Sequence, residues 1–250
     1  MHSWLLLLSL LFLSSSCCSA FTIQRSAAAA SRTVLYGKGK VRIGEASSSK
    51  VVSNEDQRKS DGLADELLRL CQAPRRDISA INGLVAQLRD LSDGPAQSKA
   101  LLKDWRLAFV TSDEVLGAVG TGLHKVPFTR MEDTFITFGG SRSSGKAVET
   151  IEVLRVLGPF PNVRNTLTGT FQTQGPNALS ITYSSLVDGT GKQITSGSAA
   201  TDRAISIGIL FAGTSLLVLE PKTSTASKET QLMIFAKEDN LEGALSALRV

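Results

Sequence analysis

The chain has 250 residues, with 27 basic against 23 acidic side chains, a formal charge of +4 and three cysteines. That length holds one ordinary domain with appendages rather than two generous ones. The positive excess sits in residues 1–44, where Arg25, Arg32, Lys38, Lys40 and Arg42 meet no Asp or Glu, so the remainder is close to neutral and lacks the basic clusters of a nucleic-acid-binding surface.

Residues 1–20, MHSWLLLLSLLFLSSSCCSA, carry an apolar run from Leu5 to Leu13 and end in small residues, with a cut expected between Ala20 and Phe21. The run is too short to span a bilayer and reads as a secretory signal. Residues 21–44, FTIQRSAAAASRTVLYGKGKVRIG, are rich in Ser, Ala and Arg and free of acid, the composition of a transit peptide. The two stages joined at CSAF resemble the bipartite presequence of algae with secondary plastids, whose junction reads ASAF; Cys18 stands in place of Ala. The resemblance implies passage through the secretory pathway into a plastid (chloroplast), to the stroma, the thylakoid surface or a plastoglobule. Cys17 and Cys18 would leave with the signal, so Cys71 alone remains and no intramolecular disulfide is expected, as suits a reducing compartment.

Residues 45–60, EASSSKVVSNEDQRKS, show no apolar periodicity and are expected to be a disordered linker. Residues 61–95 hold two helical patterns. One places Leu63, Leu67, Leu70 and Cys71 on a stripe behind Asp61 as N-cap; the other places Ile78, Ile81, Val85, Leu88 and Leu91 behind Asp77, with Pro74 between them and Gly94-Pro95 at the close. Both stripes are expected to pack on a domain core.

Residues 96–250 change to short runs rich in Val, Ile, Thr and Phe, separated by turn residues such as Asp188-Gly189 and Ala212-Gly213. Strands are expected at Trp105–Thr111, Thr134–Phe138, Ala147–Val156, Thr166–Gln172, Ala178–Ser184, Ala204–Leu210, Ser215–Leu219 and Leu232–Ala236. A short terminal helix carries Leu241, Leu245 and Leu248 behind Asp239. About eight sequential strands without crossover helices cannot form a parallel sheet. An antiparallel meander closed into a barrel removes the two exposed edges that an open sheet would leave. The expected fold is therefore mainly β: an antiparallel barrel of about eight strands, preceded by two short helices and followed by a third. Such a barrel is filled by side chains or holds one small ligand.

Gly140–Ala147, GSRSSGKA, has the G-x-x-x-x-G-K spacing of a phosphate loop, but Ala147 stands where the magnesium-binding Ser or Thr belongs. The following AVETIEVLRV is β-branched, as a strand is, where a helix should begin; the stretch reads as a solvated hairpin loop. His124 is the only histidine beyond the signal and reads as a surface or packing residue, with no nucleophile turn nearby. Cys71 on its helix stripe is expected to be buried and inert. No ligand spacing suggests zinc, and the pairs Glu132-Asp133 and Glu238-Asp239 read as solvated strand ends. Neither an enzyme nor a cofactor is expected.

The strand region concentrates aromatic residues. Trp105 and Phe109, four apart on one strand, are expected to share a face, as are Phe135 and Thr137. An apolar-lined barrel holding a hydrophobic small molecule would use such a face. The expected lining of interior or mouth is Trp105, Leu107, Phe109, Phe128, Phe135, Phe138, Phe171, Tyr183 and Arg203. The glycine-rich connection LGAVGTGLHKVPF, with Gly117, Gly120, Gly122 and Phe128, is expected to gate the mouth or touch a membrane, or to be a plain loop.

At LLKDWRLAFVTSDE the chain is similar to the plastid lipid-associated protein family, the plastid fibrillins, in which two helices lead into a first strand of the form L-x-G-x-W-x-L-x-Y-T-S. Leu101, Trp105, Leu107, Phe109, Thr111 and Ser112 match, with Phe109 for Tyr, Val110 inserted and Lys103 for the glycine. LTGTF from Leu167 and LSITYSS from Leu179 are similar to middle strands, and DRAISIGILFAGTSLLVLE to the closing segment, where Asp202, Arg203 and Ile205 match with Ala204 inserted. The resemblance spans about Leu63 to Leu219. It implies a lipocalin-like barrel whose Arg braces one end and which binds or organises prenylquinones, carotenoids or lipids. It also implies peripheral contact with thylakoids or plastid lipid droplets, and no transmembrane segment follows the signal. The alternative is a structural or assembly factor of a photosynthetic membrane complex, with a barrel filled by side chains.

Overall fold

The computed structural model describes residues 54–92, 98–139, 146–175, 177–195, 201, 203–222 and 230–248. The expected signal and transit segments, the linker up to residue 53, Gly94-Pro95, most of the GSRSSGK loop and Asp202 lie outside the described residues.

Helix α1 (Asn54–Gln72) begins seven residues before the expected cap, so the end of the expected linker is helical. Asp61 is not an N-cap: its carboxylate accepts from Gln57 Nε2 at 3.0 Å, one turn earlier in the same helix. Helix α2 (Ile78–Leu91) does start at Asp77, whose carboxylate accepts from the Ala80 amide at 3.0 Å, satisfying one orphan donor of the first turn. A single turn, α3 (Ser98–Leu101), leads into β1 (Asp104–Val110), followed by α4 (Asp113–Val119) and a 3₁₀ turn at Leu123–Lys125. Then come β2 (Thr129–Phe138), β3 (Ala147–Val156), β4 (Val163–Thr173), β5 (Ala178–Val187), β6 (Gln193–Ile194), β7 (Ala204–Ala212), β8 (Leu216–Pro221), β9 (Met233–Glu238) and α5 (Leu241–Ala247). The cap of α5 is Asn240, which accepts from the Gly243 amide, rather than Asp239.

All strand pairs are antiparallel, in the order β4-β3-β2-β1-β9-β8-β7-β5, and β5 pairs back onto β4, which closes the ring; β6 adds only to the end of β5. The expected barrel is thus observed, and AVETIEVLRV is its third strand, with no helix after the GSRSSGK loop. Inside lies one cluster that includes Trp105, Ile136, Phe138, Phe171, Tyr183 and Phe235. Phe138 and Phe171 meet edge to face at 5.2 Å. At one end Trp105 Nε1 donates to the Leu101 carbonyl at 3.1 Å. Lys103, in the place of the expected glycine, donates to the Thr214 carbonyl at 2.9 Å and stands 5.5 Å from the Trp105 ring centre.

Outside, α1 and α2 cover Phe109, Phe211, Leu216, Val218, Leu232 and Ile234 with Ala64, Leu67, Cys71, Ile81, Val85 and Leu88. Helix α5 covers Phe135, Ile151 and Val153 with Leu245. Burial on both faces explains why β8 and β9 read as unbroken apolar runs, LLVL and LMIF, instead of alternating.

Register shifts decide which side chains enter the barrel. In β1 the shift between Leu107 and Phe109 leaves Ala108 as an extra residue, so Leu107 faces Phe235 of the interior while Phe109 pairs with Ile234 on the helix-covered face. Trp105 and Phe109 therefore do not share a face, because a bulge reverses the alternation. A shift in β7 turns Phe211 outward in the same way. In β2 the shift between Met131 and Asp133 sends Asp133 outward and Thr134 inward. Asp133 is not a solvated strand end: it is buried and held by Arg106 Nε at 2.7 Å and Nη2 at 2.6 Å.

The fourth shift lies in the β4–β5 pair, between Thr168 and Gly169. A methyl group at Gly169 would lie 2.1 Å from the Thr182 carbonyl oxygen and 2.7 Å from Tyr183 Cα, both backbone atoms. Gly169→Ala must push the closing strands apart, and we expect a loss of about 1–3 kcal/mol of stability in urea unfolding.

Candidate functional site

The barrel end opposite Trp105 is covered by the connection from β1 to β2. This glycine-rich stretch is not the plain loop weighed from the sequence. Ser112 caps α4 by accepting from the Val115 amide, and Val115, Leu116 and Val119 enter the interior cluster. The 3₁₀ turn follows from Gly122, which takes φ +77°, a conformation costly for residues with a Cβ. Together Asp113–Lys125 form a cap whose apolar side plugs the barrel.

Two ionisable side chains fasten this cap from below. Glu152 of β3 is fully buried, accepts from the Thr121 amide through Oε1 at 2.8 Å, and accepts from the Thr121 hydroxyl through Oε2. Arg203, just before β7, donates from Nη1 to the Gly117 carbonyl at 3.1 Å and from Nη2 to the Gly120 carbonyl at 2.7 Å. Its guanidinium carbon lies 6.0 Å from the Tyr183 ring centre. Thr129 at the start of β2 donates its hydroxyl to the Leu123 carbonyl at 2.8 Å. His124 Nε2 lies 3.2 Å from the Asp113 carbonyl, closing the turn on itself.

Beneath the cap the barrel wall is polar. Thr134, Glu152 and Asn165 are direct cross-strand partners on β2, β3 and β4, so the three form one inward row, and all are buried. One step deeper, Thr150 Oγ1 and Tyr183 Oη share a hydrogen bond of 2.6 Å. Among the described residues, Thr134 Oγ1, Asn165 Nδ2, Arg203 Nε and His124 Nδ1 are buried and make no hydrogen bond, which is uncommon for buried polar atoms.

Burial raises the Glu152 carboxyl above its ordinary range, against the Thr121 hydrogen bonds and the nearby charges of His124 and Arg203, which pull it down. Burial likewise pushes the Tyr183 phenol up to about 12 and lowers Arg203. At neutral pH the phenol is a neutral donor or acceptor. Cys71 lies on the buried face of α1, with burial pushing its thiol up to about 11. The described residues contain no group of three or more His, Cys, Asp or Glu placed to hold a metal.

Of the residues expected to line the barrel, Trp105, Leu107, Phe138, Phe171 and Tyr183 do face inward, and Arg203 braces the capped end. Phe109 and Phe135 are corrections: both lie on the outer wall, Phe109 under α1 and α2, Phe135 under α5. Phe128 is on the rim and 73% exposed. A shallow depression of about 160 Å³ is bordered by Arg76, Phe109 and Asp133 of that wall and also by Leu107, Met131 and Thr134, which face the interior. Thr134, Glu152, Asn165 and Thr121 escaped the sequence reading. The available signal was Glu152 itself, a carboxylate in phase with Val148, Thr150 and Leu154 while Ile151 and Val153 take the other face.

No protein-family model matches this chain, and no curated protein sequence matches it. Among the described residues no helix is long and apolar enough to cross a membrane.

Gly120 has an ordinary φ of −106°, yet a methyl group there would stand 1.8 Å from Glu152 Oε1. Gly120→Ala should therefore expel the carboxylate from under the cap, lowering stability by about 1–3 kcal/mol and raising amide exchange across Asp113–Lys125. Because the folded-state pKa of Glu152 is raised, its protonated form stabilises the fold. That contribution is complete below the ordinary value of 4.5 and is lost as pH climbs through the raised value. Glu152→Gln should remove this dependence, so the difference in stability between Gln and Glu proteins should shift toward Gln as pH rises from 4.5, read by urea unfolding across that range.

Proposed function

We propose that the barrel binds a small apolar molecule with an oxygen-bearing head, taken in through the end that Asp113–Lys125 covers. The observation that carries this reading is the inward row Thr134, Glu152 and Asn165, whose Oγ1 and Nδ2 atoms are buried without partners directly below the cap. Binding sites for small molecules are mostly apolar with a few fixed polar groups. Here Asn165 Nδ2 and Arg203 Nε offer donors to a carbonyl or hydroxyl oxygen, Glu152 offers an acceptor, and Phe138, Phe171 and Leu167 offer contact to a carbon skeleton. Apolar contact of that kind contributes roughly 25 cal/mol per Å² removed from water.

The resemblance to plastid lipid-associated proteins points to prenylquinones, oxygenated carotenoids or polar lipids as the ligand class, and to a plastid as the setting. Entry requires the cap to lift and interior side chains to move, since these pack into one cluster. That packing is also the observation that favours the second reading, a structural or assembly factor of a photosynthetic membrane complex whose barrel needs no ligand.

Organic-solvent extraction of the purified protein, followed by mass spectrometry, should recover a quinone, carotenoid or lipid at near-stoichiometric amounts. Repeated extraction of nothing, from protein that co-purifies with a photosystem, would transfer the assignment to the assembly factor. Asn165→Leu sharpens the comparison. Replacing an unpartnered amide by an apolar group should leave stability equal or higher, while affinity for the recovered molecule should fall by about ten-fold, the equivalent of one hydrogen bond. An unchanged affinity would remove Asn165 from the site.

A further inference from the structure

Around the capped end the surface is unusually apolar. Val126, Phe128, Leu157 and Phe160 are 41%, 73%, 61% and 63% exposed. They belong to two adjoining segments, since Leu157 donates its amide to the Phe128 carbonyl at 2.9 Å and Thr129 pairs with Val156. Prolines 127, 159 and 161 stiffen both segments. Phe128 holds φ +68°, the only positive φ among described residues other than glycine. A large side chain held outward on a left-handed backbone is a strained arrangement, of the kind that persists where it serves a function. The charges nearest it along both segments are basic. Lys125, Arg130 and Arg155 are exposed, Arg130 and Arg155 face each other across β2 and β3, and residues 125–131 and 153–162 contain no Asp or Glu. Glu132 stands 3.8 Å from Arg155, and the cap carries exposed Asp113 and Glu114 at its start.

From this combination we infer that the rim docks on an anionic lipid surface, with Phe128, Leu157 and Phe160 among the acyl chains and Lys125, Arg130 and Arg155 at the headgroups. Apolar and aromatic side chains with flanking cations are what binds at such an interface. A protein groove would satisfy the apolar side chains but gives no reason for three exposed cations flanking them. The docking stands on the rim alone. Its use, passing an apolar molecule between the bilayer and the capped mouth, rests on the binding reading above.

The test uses full-length protein carrying Phe160→Trp and vesicles with brominated acyl chains, made of phosphatidylcholine alone or mixed with phosphatidylglycerol. The signal is the quenching of the introduced tryptophan, taken as the difference from protein lacking the substitution. We expect strong quenching in the mixed vesicles and little in phosphatidylcholine alone. Arg130→Gln and Arg155→Gln should each weaken binding about five-fold. Phe128→Gly in the same background relieves the left-handed strain, so the protein stays folded by circular dichroism while vesicle binding falls about ten-fold or more. A folded protein whose introduced tryptophan is unquenched in both vesicles overturns the proposal, as does a dimer in sedimentation that Phe128→Gly dissolves, which would assign the rim to a second copy. Binding of a fluorescent polyene fatty acid in vesicle-free solution is measured in parallel. Retained polyene binding without docking sinks only the rim, and docking without polyene binding sinks only the ligand reading.

Discussion

The pairing of β5 back onto β4 is the constraint on which the rest of this structure depends. Without it the sheet would keep two long free edges. With it, every strand owes one face to an interior that eight strands leave just wide enough for side chains to fill. Trp105, Phe138, Phe171, Tyr183 and Phe235 meet that demand. The outer wall is then as apolar as the inner one along β8 and β9, and α1, α2 and α5 exist in part to cover it. The four register shifts allow both demands to be met by one chain, because each lets a strand change which residues it sends inward.

Polar groups inside such a barrel are costly unless they are paired. Their concentration under Asp113–Lys125 therefore has to be read together with that segment. Glu152 and Arg203 spend their hydrogen bonds on Thr121, Gly117 and Gly120, so the cap is held by hydrogen bonds from within as well as by Val115, Leu116 and Val119. The pairing is incomplete, since Arg203 Nε and Asn165 Nδ2 face no acceptor. A purely structural plug would be better made of leucines.

Much of this architecture was legible in the amino-acid sequence. Ala147–Val156 and the start of β5 at Ala178 follow from β-branched runs bounded by Gly, Asn and Lys. Asp77 announces α2 through the chemistry of its cap. The faces were less legible. Phe109 looks like a lining residue when strict alternation is assumed, and nothing in WRLAFV marks Ala108 as the extra residue that turns it outward; Phe135 faces outward by plain alternation with the inward Ile136 and Phe138, so it and Phe138 could not both line the barrel. The cap was hidden by its own glycines, which signal mobility in isolation. Here Gly120 allows a carboxylate to approach, and Gly122 supplies a left-handed turn. The polar row could not be assembled in advance, because Thr134, Glu152 and Asn165 lie on three strands and become neighbours only through register.

The neighbour of β1 on its other side is β9, with Leu107 against Phe235 and Val110 against Met233. The first strand to leave the ribosome must therefore wait for the last before its second edge is paired. Pairing these two strands closes a loop of more than a hundred residues, a contact of the high sequence separation that slows folding in general. The N-terminal helices α1 and α2 are already made by then, and they pack on Phe109 and Ala108 of β1. Because the same helices also cover Ile234 of β9, the seam that joins the first strand to the last is spanned by the segment that precedes both in the chain.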